Sequence, residues 1–451
     1  MPGPGNKNKR EKLACKNKSI LSFFPRLMSS VTPQKNTNEA TLVSDSNVAL
    51  ACGDLAAADS SYCSNQSVTA KPKNKCPYYK WIPGTPFTVD AFRYGLIRGC
   101  SGYFLSHFHY DHYGGLSSKF KGTIYCSRIT ANLVRKTFGQ SVSVVVLPTN
   151  EFVIVNGYEI LLIDANHCPG SVMILLRLPE GGVHLHTGDF RVHSSMLQAP
   201  SILADFVKTA IPNSRIGTVF LDTTFCDPYY KFPEQQLVIA AAAQVSFQAL
   251  LSRPDTLILC GMYSIGKERF VLGLAEELNV KVWLPNKQRG LVTAASEGGC
   301  EVCRALVARC VASKDEARIH VVDMNELNPR AVLKNLLPMG KNIIAWKPSG
   351  WMYNPSKKAT AATIKRLPCP AEAFESLREF ISVEMVAKNV VVLGAAYSEH
   401  SSFTELKDFI TALKPMKVQP TVFGGSAKDA RKHIDSWLQE EKLLKLPSEN
   451  S

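Results

Sequence analysis

From Cys76 onward, short apolar runs alternate with Gly, Pro and Asn, the pattern of strands closed by turns. Gly102 to Ser106, Thr123 to Cys126, Glu159 to Ala165, Ser171 to Leu178 and Thr218 to Leu221 read as strands. Several are apolar without alternation, which predicts burial on both faces. Longer helical stretches follow at Pro233 to Leu251 and Ile265 to Leu278. Val390 to Ala395 is a further buried strand, and Ser402 to Leu413 is a capped helix. Neighbouring strands followed by helices predict a layered α/β protein with two packed sheets. Residues 1 to 75 lack this pattern. A Lys/Asn-rich run from Lys7 to Lys18, then a Ser/Asn/Ala/Asp stretch from Thr37 to Ala70, predicts a disordered tail. No internal repeat is visible.

Composition narrows the class. A chain of 451 residues, 45% hydrophobic, can fill a substantial core. No apolar run approaches the ~18 residues of a membrane span, and the basic amino terminus lacks the apolar region of a secretory signal, so a soluble intracellular protein is expected. Thirteen cysteines without a framework, several in strands (Cys100, Cys126, Cys260), predict reduced thiols that pack as small hydrophobes. The net charge of +14 favours a polyanionic partner, since Lys and Arg that neutralise phosphates release counterions.

The candidate chemistry begins directly after the apolar run Tyr103 to Leu105, at Ser106-His107-Phe108-His109-Tyr110-Asp111-His112. His107 and His109 alternate with Phe108 and share a face, while Asp111 and His112 open the next turn, so one loop can serve two adjacent cations. Imidazole and carboxylate suit zinc, manganese or iron better than magnesium. A lone histidine is usually structural, but four potential ligands within six residues reverse that reading. Three more polar residues end apolar strands: His167 in Asp164 to Ser171, Asp189 in His186 to Arg191, and His400 in Ala396 to Ser402. Each alone is ordinary turn chemistry; together they supply the ligand count of a binuclear site.

These motifs resemble the metallo-β-lactamase superfamily. Asp90, in Phe87 to Ala91, matches its first motif, implied to orient the metal loop. Asp222, in Leu221 to Thr224, and His400 match motifs of the β-CASP branch, whose members cut nucleic acid. Where RNA-processing members carry His, this chain has Val422, which points to the DNA branch. Cys76-Pro-Tyr-Tyr79, Gly261 to Glu268, Pro348-Ser-Gly-Trp351 and Tyr397 to Ser402 resemble the cross-link repair 5′-exonucleases sensitive to nitrogen mustard, relatives of Apollo and Artemis. The likeness covers roughly residues 76 to 440. It implies an α/β metallo-β-lactamase αββα sandwich (76–224 and 389–442) with an inserted β-CASP α/β domain (225–388), between the tails 1–75 and 443–451. The implied activity is removal of nucleotides from 5′-phosphorylated DNA ends in interstrand cross-link repair, by a monomer in the nucleus. The implied ligands are His107, His109, His167 and Asp189 for one zinc, and Asp111, His112, Asp189 and His400 for a second ion, zinc or else manganese or magnesium. Asp111, Asp90 and Asp222 are the expected catalytic carboxylates.

A 5′-exonuclease also needs a pocket for the terminal phosphate, and Ser398, Ser264 and Lys267 are its candidates, against the plainer reading of a helix cap and a solvated lysine. In the tail, Ile20, Phe23 and Phe24 have the spacing of one apolar helical turn and resemble a PCNA-interacting box, with Asn17 in place of the usual Gln. The basic run Lys7 to Lys12 reads as a nuclear import signal. Cys300 and Cys303 lack the second pair of a zinc site, and Cys168 reads as packing. Three rivals stand beside this reading: an RNA-processing endonuclease, opposed by Val422; a small-molecule hydrolase, opposed by the inserted segment and the basic charge; and a non-catalytic clamp-docking scaffold, which would show lost ligands.

Overall fold

The computed structural model describes residues 75 to 198, 201 to 209, 216 to 356, 360, 364 to 423 and 425 to 443. The Lys7 to Lys12 run, the Ile20, Phe23 and Phe24 cluster and the expected disordered tail therefore lie outside the described residues.

Four short strands, β1 (Phe87–Val89), β2 (Gly102–Phe104), β3 (Ile124–Cys126) and β4 (Val144–Val146), pair in parallel in chain order. A second sheet is built by β5 (Phe152–Val155), β6 (Tyr158–Asp164), β7 (Val172–Arg177), β8 (Val183–His186) and β9 (Ile216–Leu221). The first four run antiparallel and β9 joins β8 in parallel. The β5–β6 hairpin turns on Asn156-Gly157, both at positive φ, as a tight two-residue turn requires.

Alternation explains the uninterrupted apolar strands. On β6 and β7, Ile160, Leu162, Val172, Ile174 and Leu176 pack with Phe87 and Phe104 of the first sheet. Their neighbours Leu161, Ile163, Met173 and Leu175 point the other way, onto Leu406, Phe409 and Ile410 of the helix Phe403–Leu413. On the far side of the first sheet, Tyr103 and Leu105 share a core with Ala131, Leu133 and Val134 of the helix Arg128–Phe138. Two sheets between helices form the expected αββα sandwich.

After β9 the chain builds a separate layer. The helix Gln235–Ser252 buries Val238, Ile239, Ala240 to Ala243 and Val245 around its circumference, as a helix apolar on all sides must. A third sheet contains β10 (Leu257–Met262), β11 (Val282–Trp283), β12 (Ile319–Asp323), β13 (Ile343–Pro348), β14 (Ile381–Ala387) and β15 (Val390–Ala395), in the order β11-β12-β10-β13-β15-β14. β15 pairs with β13 and β14. A return to the sandwich at residue 389 is therefore too early; it follows β15, and β16 (Lys417–Pro420) then completes the second sheet beside β9. The helix expected from Ile265 starts at Glu268, because Gly266 and Lys267 sit at φ 100 and 75.

Candidate metal centre

The sandwich brings the carboxyl ends of its strands to one edge. β1 ends at Asp90, β2 runs into Ser106 and His107, β6 leads to His167, β8 to Asp189 and β9 to Asp222, while the loop after β15 carries His400. From these ends Asp90, His109, Asp111, His112, His167, Asp189 and His400 line a cleft of about 550 Å³ together with Tyr79, Lys80, Tyr263 and Val422.

The ring nitrogens converge. His109 Nδ1 lies 3.0 Å from His107 Nε2 and 3.1 Å from His167 Nε2. Asp189 Oδ2 is 3.2 Å from His112 Nε2, 3.6 Å from His107 Nε2 and 3.9 Å from His167 Nε2. The His400 ring centroid is 4.7 Å from that of His167, and the donor atoms of His167, Asp189 and His400 lie within 4.8 Å of one another.

The opposite edge of each ring decides what these contacts are. A neutral imidazole has one N–H, and the acceptor it meets fixes the tautomer. His167 Nδ1 donates to the Glu399 carbonyl at 2.8 Å, and His109 Nε2 to the Ile265 carbonyl at 3.0 Å. His112 Nδ1 meets Asp90 Oδ2 at 2.7 Å, and His400 Nδ1 meets Asp222 Oδ2 at 2.8 Å. Ser106 gives its hydroxyl hydrogen to Asp90 at 2.7 Å and so accepts from His107 Nδ1 at 3.0 Å. On His107, His109 and His167, whose pKa values burial lowers, the inward-facing nitrogen is thus left with a lone pair. Burial, then the neighbouring imidazoles, hold His107 and His167 well below the usual histidine range, so both are neutral. Lone pairs at 3.0 Å repel unless a cation lies between them, so this donor set fits metal ions.

Charge is supplied on the other side. Burial works against an ionised Asp189, yet His112 keeps its carboxyl below the ordinary range. For His112 burial is likewise outweighed, by Asp189 and Asp90, and its pKa stands well above the usual value. Asp111, with a 72% exposed side chain, reaches His112 Nε2 at 3.5 Å and opens onto the cleft.

The DNA repair metallo-beta-lactamase family model matches residues 306 to 426. DNA cross-link repair protein SNM1 of Arabidopsis thaliana is 36% identical over 372 residues, which span 81% of this chain and 69% of that protein. The chain belongs to the metallo-β-lactamase family of DNA cross-link repair proteins. DNA cross-link repair 1A protein of Homo sapiens is 38% identical over 383 residues, 84% of this chain and 33% of that protein. The 5′ exonuclease Apollo of Mus musculus is 31% identical over 355 residues, 76% of this chain and 54% of its own length. This member of the family spans about a third of the length of the cross-link repair 1A proteins.

Within this family member, Asp90 and Asp222 are buried to 4% and 2% exposure and hydrogen-bond to the imidazoles of His112 and His400; Asp90 borders the cleft at its floor. Asp90 also takes the Ser106 N–H at 2.9 Å, and Asp222 takes the N–H and hydroxyl of Thr224 at 3.0 and 2.6 Å. Each holds the outer nitrogen of a candidate ligand ring; of the three carboxylates expected to be catalytic, Asp111 is the exposed one. Ser264 and Lys267 line the cleft, but the Lys267 ammonium is buried against Glu399 at 2.7 Å. Its charge is already matched, so it is not an open phosphate contact. Ser398 does not face the cleft: it is buried, donating to the His400 carbonyl at 2.7 Å and accepting the His400 N–H at 3.1 Å, which folds the ligand loop on itself. Val422 does face the cleft.

Two contributors were invisible in the sequence. Glu399 holds His167 through its carbonyl and Lys267 through its carboxylate. Arg191 donates to the carbonyls of Ser398 and Pro233 at 2.8 and 3.0 Å and ties the His400 loop down. A polar residue beside a ligand motif is the only hint the sequence offers. Cys168 is buried, its thiol pKa pushed well above normal by burial and then by Glu399, and its Sγ lies within 4.8 Å of the donor atoms of His107, His109 and His167. Among the described residues, no metal-type grouping includes Cys300 or Cys303.

Proposed function

We propose that this protein is a metal-dependent 5′-to-3′ DNA exonuclease acting on 5′-phosphorylated ends in interstrand cross-link repair. The carrying observation is the ring of five imidazoles, each anchored on its outer nitrogen and turned inward around Asp189. In this reading His107, His109, His167 and Asp189 hold one ion, and Asp111, His112, Asp189 and His400 hold a second. Zinc suits the imidazole-rich set, with manganese or magnesium as alternatives at the second position. Two such ions, when bound, activate a water at neutral pH and stabilise the attacking and leaving oxygens of an in-line phosphoryl displacement.

The chain's own residues supply the rest. Asp111, open to the cleft, orients the attacking water and receives its proton. Lys80, whose Nζ donates to the Asp90 carbonyl at 2.8 Å, and Ser264 border the cleft and bind the terminal phosphate. The segment 225 to 388, extended through β15, is the β-CASP unit, with the substrate groove between it and the sandwich. DNA rather than RNA is favoured by Val422 at the cleft wall. No described helix is long and apolar enough to cross a membrane. A nuclear monomer recruited to PCNA through Ile20, Phe23 and Phe24 completes the reading. A peptide of residues 12 to 30 titrated against purified PCNA tests that last part.

The deciding experiment incubates the purified protein with 5′-phosphorylated and 5′-hydroxyl single-stranded DNA, with RNA and a β-lactam in parallel. Faster stepwise loss of nucleotides from the 5′-phosphorylated DNA is expected. Equal rates on both DNA ends, mainly internal cleavage, or greater activity on RNA or the β-lactam would overturn it.

A further inference from the structure

The cleft is bordered by aromatic rings that the metal centre does not use. Among the described residues, Tyr110, Tyr78, Phe423 and Tyr263 are 71, 66, 55 and 44% exposed, and each sits in the cleft wall or one ring away from it. Exposed large apolar side chains gathered on one feature mark an interaction site rather than ordinary surface.

The most continuous group is Tyr78, Tyr79 and Phe423. Tyr79 lines the cleft; its ring centroid is 5.8 Å from that of Tyr78 at 84° and 5.2 Å from that of Phe423 at 58°. At these angles neither ring is stacked flat on Tyr79, and both Tyr78 and Phe423 stay largely exposed. Two segments build the group: the turn Tyr78–Lys80 and the residues following β16, where Thr421 and Val422 also line the cleft. The same turn ends in Lys80, a cation at the cleft.

We infer that Tyr78, Tyr79 and Phe423 form a stacking ledge for the bases of a single-stranded DNA segment beside the metal centre. This rests on the proposed nuclease activity and adds the form of its substrate. Open aromatic faces interleaved with a cation are what single-strand grooves use, because every base has a face to stack and every nucleotide a phosphate to neutralise. In a duplex each base is already stacked on both sides, so the ledge gains nothing until the strand is unpaired. A protein partner would use the same apolar area without regard to strandedness.

The test measures binding of the full chain, by fluorescence anisotropy, to a 3′-labelled oligonucleotide with uncleavable phosphorothioate linkages, single-stranded or in a blunt duplex. Phe423→Ala is expected to weaken single-strand binding by about 5- to 100-fold, the range of one lost base stack, and to leave duplex binding unchanged. Phe423→Trp retains it. An abasic nucleotide at the stacked position weakens the unaltered protein equally and adds nothing to Phe423→Ala. Unchanged single-strand affinity in Phe423→Ala, equal losses on both DNA forms, or additive abasic and Phe423→Ala losses at every position would overturn the ledge. If the unaltered protein neither binds nor cuts DNA, the proposed function falls as well; normal cleavage with unaffected variants removes the ledge alone.

Discussion

Replacing Lys267 by Met should destabilise the protein and disturb the metal centre together. The ammonium lies 2.7 Å from Glu399 Oε2, with side-chain exposures of 7% and 4%. Glu399 Oε1 also accepts the Lys267 N–H at 2.9 Å, and Gly266 leaves so little room that a Cβ there would come within 3.2 Å of His109 and 3.3 Å of Glu399. Burial raises the Glu399 pKa, but Lys267 outweighs it and brings the carboxyl from 4.5 to about 2. At about 1.4 kcal/mol per pH unit this corresponds to roughly 3 kcal/mol. Breaking a buried pair from one side costs about 3–5 kcal/mol, which agrees. With the folded pKa depressed, this stability is present above pH ~4.5 and is lost as pH falls through about 2. At about 2–4 °C per kcal/mol, Lys267→Met should lower the unfolding midpoint at pH 7 by roughly 6–12 °C. Differential scanning calorimetry of Lys267→Met, Glu399→Gln and the double variant measures it. The double variant should recover at least half the loss, because no uncompensated charge is then buried. A normal midpoint for Lys267→Met, or a double variant no more stable than the single one, would refute the argument.

Other outcomes follow from the same geometry. Asp111→Ala or His112→Ala should abolish nuclease activity; the unfolding midpoint should move by no more than about 2 °C for the exposed Asp111, but should fall for His112→Ala, which leaves Asp90 buried without its partner; near-normal turnover with added metal would remove both from the site. Asp222→Asn leaves His400 without its anionic acceptor and should weaken metal retention about 10- to 100-fold in a chelator competition, and Asp90→Asn should do the same through His112. Metal content of the unaltered protein should fall as pH is lowered through the histidine range, because each inward nitrogen binds a cation only when unprotonated; a flat loading curve from pH 7 to 5 would contradict the tautomers assigned here.

The sequence by itself determined the local chemistry. His107 to His112 announced a metal loop because four potential ligands in six residues have no other economical use, and the resemblance carried by Asp90, Asp222 and His400 named the family. It also disclosed the buried strands β6 and β7, since residues that face two cores leave no polar alternation. What the tertiary structure decided is which polar atoms meet. Ser398, two residues from a ligand, looked open to substrate, but its hydroxyl is consumed by the His400 backbone. Lys267 looked like a phosphate contact, but Glu399, 132 residues away, neutralises it. β15 looked like the start of the returning sandwich, yet it pairs with β13 and β14, because a buried apolar strand carries no record of which sheet will receive it. The outer acceptors of the five imidazoles include the carbonyls of Ile265 and Glu399, which every residue possesses and no sequence can mark. Side-chain identity is written locally; the partner that sets a tautomer, a charge or an exposure arrives only when distant segments pack together.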